Sequence, residues 1–84
     1  MTEQTHQMMD YIVREVIRRS DIQIDEDTPL VSSGLVDSLA LVDILTRLED
    51  ITKMRIPAGK VRAKDVDTVR LMFVTAQRVG HRRK

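Results

Sequence analysis

Three stretches of the chain repeat apolar residues at helical spacing, separated by segments that do not. In the first, Met8, Met9, Ile12, Val13, Val16 and Ile17 recur at i, i+3 and i+4, while Glu3, Asp10, Arg14, Arg18 and Arg19 fall mostly on other faces. That period marks an amphipathic helix, here from about Thr5 to Arg19, with Arg18 and Arg19 suited to its negative C-terminal end. The second stretch starts at Asp37, a favoured N-cap, which makes Ser38 the first helical residue. Leu39, Val42, Leu45 and Leu48 form its expected core stripe, with Leu41 and Ile44 beside it, and the helix should fade near Asp50–Thr52. Asp43 and Arg47 have the spacing and order of a favourable i,i+4 ion pair. The third stretch carries Val69, Met72, Phe73, Ala76 and Val79 on one stripe, with Asp67 as its expected cap and Gly80 as its stop.

The connections differ from one another. Residues 20–36 hold no sustained period, and they contain Asp25-Glu26-Asp27, Thr28-Pro29 and Ser32-Ser33-Gly34. Pro29 biases Thr28 to extended geometry, and Gly34 admits backbone conformations closed to other residues. Leu30, Leu35 and Val36 are the apolar residues here and are expected to pin the loop to the core. So long a loop in so small a domain is uncommon and often functional. Residues 53–64 are a basic connection in which one short helical turn is expected around Val61 to Lys64. His81-Arg82-Arg83-Lys84 is expected to be a frayed tail, and no segment has the two-residue period of a strand. The expected architecture is all-α: one domain over residues 1–84, with three main helices, a short extra one and a long loop between helices one and two.

Composition narrows the chemistry. The 84 residues include no cysteine, so disulfides, thiol nucleophiles and thiolate metal sites are excluded. No apolar run approaches the ~18 residues of a membrane span, and Met1-Thr2-Glu3-Gln4 does not read as a signal peptide, so a soluble, cytoplasmic monomer is expected, with no membrane partner. The net charge of +1 conceals an asymmetry. Residues 1–42 carry eight acids and three bases, hence −5, whereas residues 43–84 carry five acids and eleven bases, hence +6. The two halves can attract across the fold. The basic half alone would suit phosphates, but aromatics are 2% of the chain and no groove-reading motif appears, so nucleic acid is not an expected partner. His6 and His81 lie near opposite ends and make no metal site.

The remaining candidate is Gly34-Leu35-Val36-Asp37-Ser38-Leu39. It places a hydroxyl at a helix start with a carboxylate beside it, where the helix dipole and free N–H groups favour an anion such as a phosphate ester. By itself Asp37-Ser38 is also ordinary capping. Its setting says more. The motif, with Val42, Asp43, Leu45, Leu48, Glu49 and Ile56-Pro57 after it, resembles the acyl carrier protein family. The resemblance extends to the first amphipathic helix, the loop with Thr28-Pro29-Leu30, and Asp67-Thr68-Val69 at the start of the last helix.

That resemblance implies a non-catalytic carrier. Ser38 would take covalent 4′-phosphopantetheine from coenzyme A through a phosphopantetheinyl transferase, with Asp37 contributing to recognition by that enzyme. The arm's thiol would then hold an acyl or aminoacyl group as a thioester. Leu39, Val42 and Asp43 match positions that partner enzymes touch, and Ile56 and Val61 match positions near the arm. For Leu39 and Val42 the competing expectation is core burial. The chain also departs from fatty-acid carriers: Ala40 stands where an acid is common, Arg47 interrupts helix two, and Lys53, Arg55, Lys60, Arg62 and Lys64 make the next segment basic. An enzyme docking through Arg and Lys on an acidic strip would meet like charge here. The sequence is more similar to small free-standing carriers loaded by an ATP-dependent amino acid:carrier-protein ligase, which pass their cargo to a downstream acyl-accepting enzyme. A fatty-acid or polyketide carrier and an unmodified helical interaction domain are the alternatives.

Overall fold

The computed structural model describes residues 3–19 and 21–82. Helix α1 spans Glu3–Tyr11 and runs on without a break as a π-helical segment, Ile12–Ile17. Arg18 ends it in the left-handed conformation (φ 60°), donates its amide to the Val13 carbonyl and its Nε to the Glu15 carbonyl. The predicted cationic end is therefore a capping contact as well as a charge effect. A tight 3₁₀ turn, Ser38–Ala40, opens into α2, Leu41–Thr52, which stops at Lys53, again left-handed at φ 59°. Helix α3 spans Val69–Val79.

The core is built from one face of each helix and from the loops between them. Met8 and Ile12, Ile44 and Leu48, and Val69, Met72 and Ala76 are buried, joined by Leu30 and Val36 from the long loop, by Ile56 from the basic connection and by Val66 just after it. Leu35 packs against this cluster, so the loop is pinned by the apolar residues expected to hold it. The α2 stripe is rotated from the expected one. Ile44 and Leu48 lead it, flanked by Leu41, Leu45 and Ile51, while Leu39 and Val42 face solvent. Apolar residues cover more than half of this helix's circumference, so spacing alone does not choose the face; packing against α1 and α3 does.

Several local expectations are corrected. Asp43 and Arg47 form no ion pair among the described residues; Arg47 instead lies over the Tyr11 ring, 4.7 Å from its centroid. Asp67 does not cap α3: Thr68 does, its Oγ1 accepting the Leu71 amide at 3.1 Å. The extra turn is divided into two 3₁₀ pieces, Ala58–Lys60 and Ala63–Val66. In place of the expected fraying, strand β2, His81–Arg82, pairs antiparallel with β1, Met54–Arg55; Arg83 and Lys84 lie outside the described residues. Gly80 stops α3 at φ −76°, so no left-handed residue is needed there. A Cβ at this position would strike the Ala76 carbonyl oxygen and Met54 Cε, and close approach is what requires glycine.

Candidate functional site

The loop that leads to Ser38 is tightly braced. Asp67 Oδ1 accepts three successive amides, from Leu30 at 3.2 Å, Val31 at 2.7 Å and Ser32 at 2.9 Å. Its Oδ2 accepts the Ser32 hydroxyl at 2.7 Å. These donors, the Ser32 amide first, hold the Asp67 carboxyl below the ordinary aspartate range. Ser33 Oγ donates to the Pro29 carbonyl at 2.6 Å, and Gly34 turns the chain at φ +84°. The Val36 amide returns to the Leu30 carbonyl at 3.0 Å, and the Val36 side chain is buried.

Farther back along the loop, Arg70 on the first turn of α3 grips the acidic cluster. Its Nε and NH2 groups donate to the two Asp27 oxygens at 2.7 and 3.0 Å, and NH2 also reaches Glu26 at 2.8 Å. The Arg70 hydrogen bonds lower the Asp27 pKa, and Asp27 in turn raises that of Arg70. Opposed charges of the two halves thus meet at Arg70. Neither clamp is legible in the sequence, although an arginine at a helix N-terminus, where the dipole disfavours it, is a signal that it answers an acid elsewhere.

From Val36 the chain enters the turn that holds Ser38. Asp37 is its N-cap as expected, in extended geometry (φ −86°, ψ 168°), and Oδ1 accepts the Ala40 amide at 2.9 Å. Ser38 is exposed, and its hydroxyl has no hydrogen-bond partner among the described residues. Helix starts leave amide hydrogens without intrahelical acceptors, so the hydroxyl stands next to unspent donors at a positive helix end.

The surrounding side chains separate into two groups. Leu39 is 84% exposed and Val42 67%, which excludes core burial for both, and Asp43 is exposed beside them on α2. Val61 is half-buried against the core. Ile56 is only 4% exposed and its amide donates to Glu49 Oε2 at 2.7 Å, so its side chain is a core element and not a contact surface. The cleft of about 320 Å³ between α1 and α2 is lined by Gln7, Tyr11, Arg47 and Ile51 among others, and not by Ser38. An open hydroxyl on a turn, away from that cleft, suits a tethered group better than a bound substrate. The described residues contain no cluster of side chains able to hold a metal ion, and among them no helix is long and apolar enough to cross a membrane.

Comparison with curated proteins and with solved structures finds no match. The family model described as a phosphopantetheine attachment site matches residues 11–71, from the end of α1 through the Ser38 turn and α2 into α3. Domains of this kind are generally carriers without catalysis of their own. The match covers well over half of the chain, which therefore belongs to the phosphopantetheine attachment-site family, the family of acyl carrier proteins, whose covalent cofactor is 4′-phosphopantetheine.

Proposed function

We propose that Ser38 carries the 4′-phosphopantetheine arm and that the chain, a single cytoplasmic domain acting as a monomer, delivers aminoacyl groups between enzymes. The observation that carries this reading is the exposed Ser38 hydroxyl, without a hydrogen-bond partner among the described residues, at the entrance to α2. In the modifying step Ser38 Oγ attacks the pantetheine-bearing phosphorus of coenzyme A. A serine–phosphate ester bond forms, the phosphoanhydride bond breaks, 3′,5′-adenosine bisphosphate leaves, and the hydroxyl proton passes to a base on the transferase. Asp37 supports the step by bracing the turn and presenting a carboxylate to that enzyme. When attached, the group supplies a thiol that holds cargo as a thioester.

Leu39, Val42 and Asp43 form the surface offered to the transferase, the loading ligase and the accepting enzyme, with Val61 at its margin. Leu39 and Val42 remain in water in the isolated chain, and a partner that covers them gains apolar burial. Aminoacyl cargo, loaded by an amino acid:carrier-protein ligase, is favoured by the sparse acidity of α2 and by the basic run at Lys53, Arg55, Lys60, Arg62 and Lys64, which disfavours enzymes that dock on acidic carriers.

Incubation with coenzyme A and a broad-specificity phosphopantetheinyl transferase is expected to add one phosphopantetheine to the intact mass, and Ser38→Ala to abolish the addition. No addition with several transferases would favour an unmodified interaction domain. Loading the modified chain with candidate ligases and amino or fatty acids then reads the cargo. A fatty acyl product alone overturns the aminoacyl assignment and leaves the carrier assignment standing.

A further inference from the structure

We propose that Asp67 is a positioning residue for modification of Ser38: from the junction before α3 it holds the loop in the one course that presents the hydroxyl to the transferase. This rests on Ser38 being the attachment residue. Asp67 has the ordinary identity of a helix cap but does not act as one, since Thr68 occupies that role. Its carboxylate is spent on the loop, taking the amides of Leu30, Val31 and Ser32 and the Ser32 hydroxyl, while its own carbonyl accepts the Leu30 amide at 2.7 Å. Leu30 then accepts from Val36, the last loop residue before Asp37. A continuous chain of hydrogen bonds runs from Asp67 through Leu30 to the buried Val36, and two covalently linked residues farther on stands Ser38.

Without the carboxylate, the Val31 and Ser32 amides and the Ser32 hydroxyl lose their acceptor, Leu30 keeps only the Asp67 main-chain carbonyl, and the loop samples other courses. An enzyme that accepts only the native course then binds a fraction of the molecules, and its apparent affinity drops by that fraction while turnover at saturation is kept. Loss of positioning should therefore appear in KM and not in kcat. A loss of overall stability that leaves the chain folded at the assay temperature should alter neither.

The test uses the full chain, coenzyme A and a phosphopantetheinyl transferase, with modification followed by intact mass. Asp67→Ala is expected to raise KM for the carrier about tenfold with kcat within about twofold, the signature of a reduced competent fraction. Asp67→Asn, whose amide oxygen still accepts the three backbone donors, should restore most of the KM. Amide hydrogen exchange in Asp67→Ala should quicken at Val31 and Ser32, which lose their acceptor, and at Val36, where the loosened loop reaches the Ser38 turn. The core variant Met8→Ala, on α1 and outside the clamp, serves as the destabilised control and should keep the native KM. An unchanged KM in Asp67→Ala, an equal rise in Met8→Ala, or unaltered exchange at Val36 overturns the proposal. A native chain modified at Ser38 alongside such a result leaves the carrier reading intact; a native chain that takes no phosphopantetheine defeats both.

Discussion

Asp37 Oδ1 accepts the Ala40 amide hydrogen at 2.9 Å, so the residue preceding Ser38 closes the turn in which Ser38 sits. Removing an N-cap of this kind costs about 1 kcal/mol. Asp37→Ala should lower unfolding stability by that amount in urea denaturation, and Asp37→Asn should remain within a few tenths of a kcal/mol of the native chain because its side-chain oxygen still accepts. If the aspartate charge is also read by the transferase, Asp37→Asn will be stable yet modified more slowly.

Leu39 and Val42 separate stability from recognition. Both side chains lie mostly in water, and surface substitutions away from special features usually change stability by no more than about 0.5 kcal/mol. Leu39→Ala and Val42→Ala should therefore unfold like the native chain while slowing modification and loading. Equal rates for native chain and variants, measured by mass, would remove these residues from the partner surface.

Features set by local periodicity and by single-residue chemistry are legible in the sequence. The three helices, the Asp37 cap, the end of α2 near Thr52 and the burial of Leu30 and Val36 are of this kind, because each depends on a few neighbouring residues. Features that join residues far apart in the chain are not legible. Asp67 reads as a cap because Asp-Thr before a helix offers two candidates, and only the folded loop shows that the aspartate is engaged 35 to 37 residues away. Arg47 reads as a partner of Asp43 because both share a helix, yet the Tyr11 ring of the neighbouring helix offers its guanidinium a face. The core side of α2 is ambiguous for a similar reason: a wide apolar arc does not say which part will meet α1 and α3.

Loop anchoring should be measurable directly. Leu30 is fully buried although it lies in a segment without regular structure. Leu30→Ala should cost about 2–5 kcal/mol, the range for truncating a core leucine. Leu35→Ala, at a half-buried position packed on the outside of the core, should cost less. Chemical denaturation of the two variants side by side tests the ranking.

Acid should loosen this same region. Asp67 is held below the ordinary aspartate value by loop donors led by the Ser32 amide, and Asp27 by its Arg70 hydrogen bonds. A carboxyl with a depressed folded pKa stabilises the fold fully above its unfolded value, about 3.9 for aspartate. That contribution disappears as pH falls through the lower folded value. Urea midpoints taken downward from about pH 5 should therefore decline more steeply for the native chain than for Asp67→Asn, Asp27→Asn or their combination. Parallel declines would show that neither clamp couples to protonation.

Tyr11 is the sole tyrosine, and tryptophan is absent. Its ring rests under the Arg47 guanidinium where α1 meets α2, and burial, then the Asp43 charge, raises its phenol pKa. The molecule thus has a built-in optical probe at a single helix junction. Near-ultraviolet absorbance and emission can track whether that junction stays shut while Ser38 is modified or a partner enzyme seats on α2, with no dye and no engineered label.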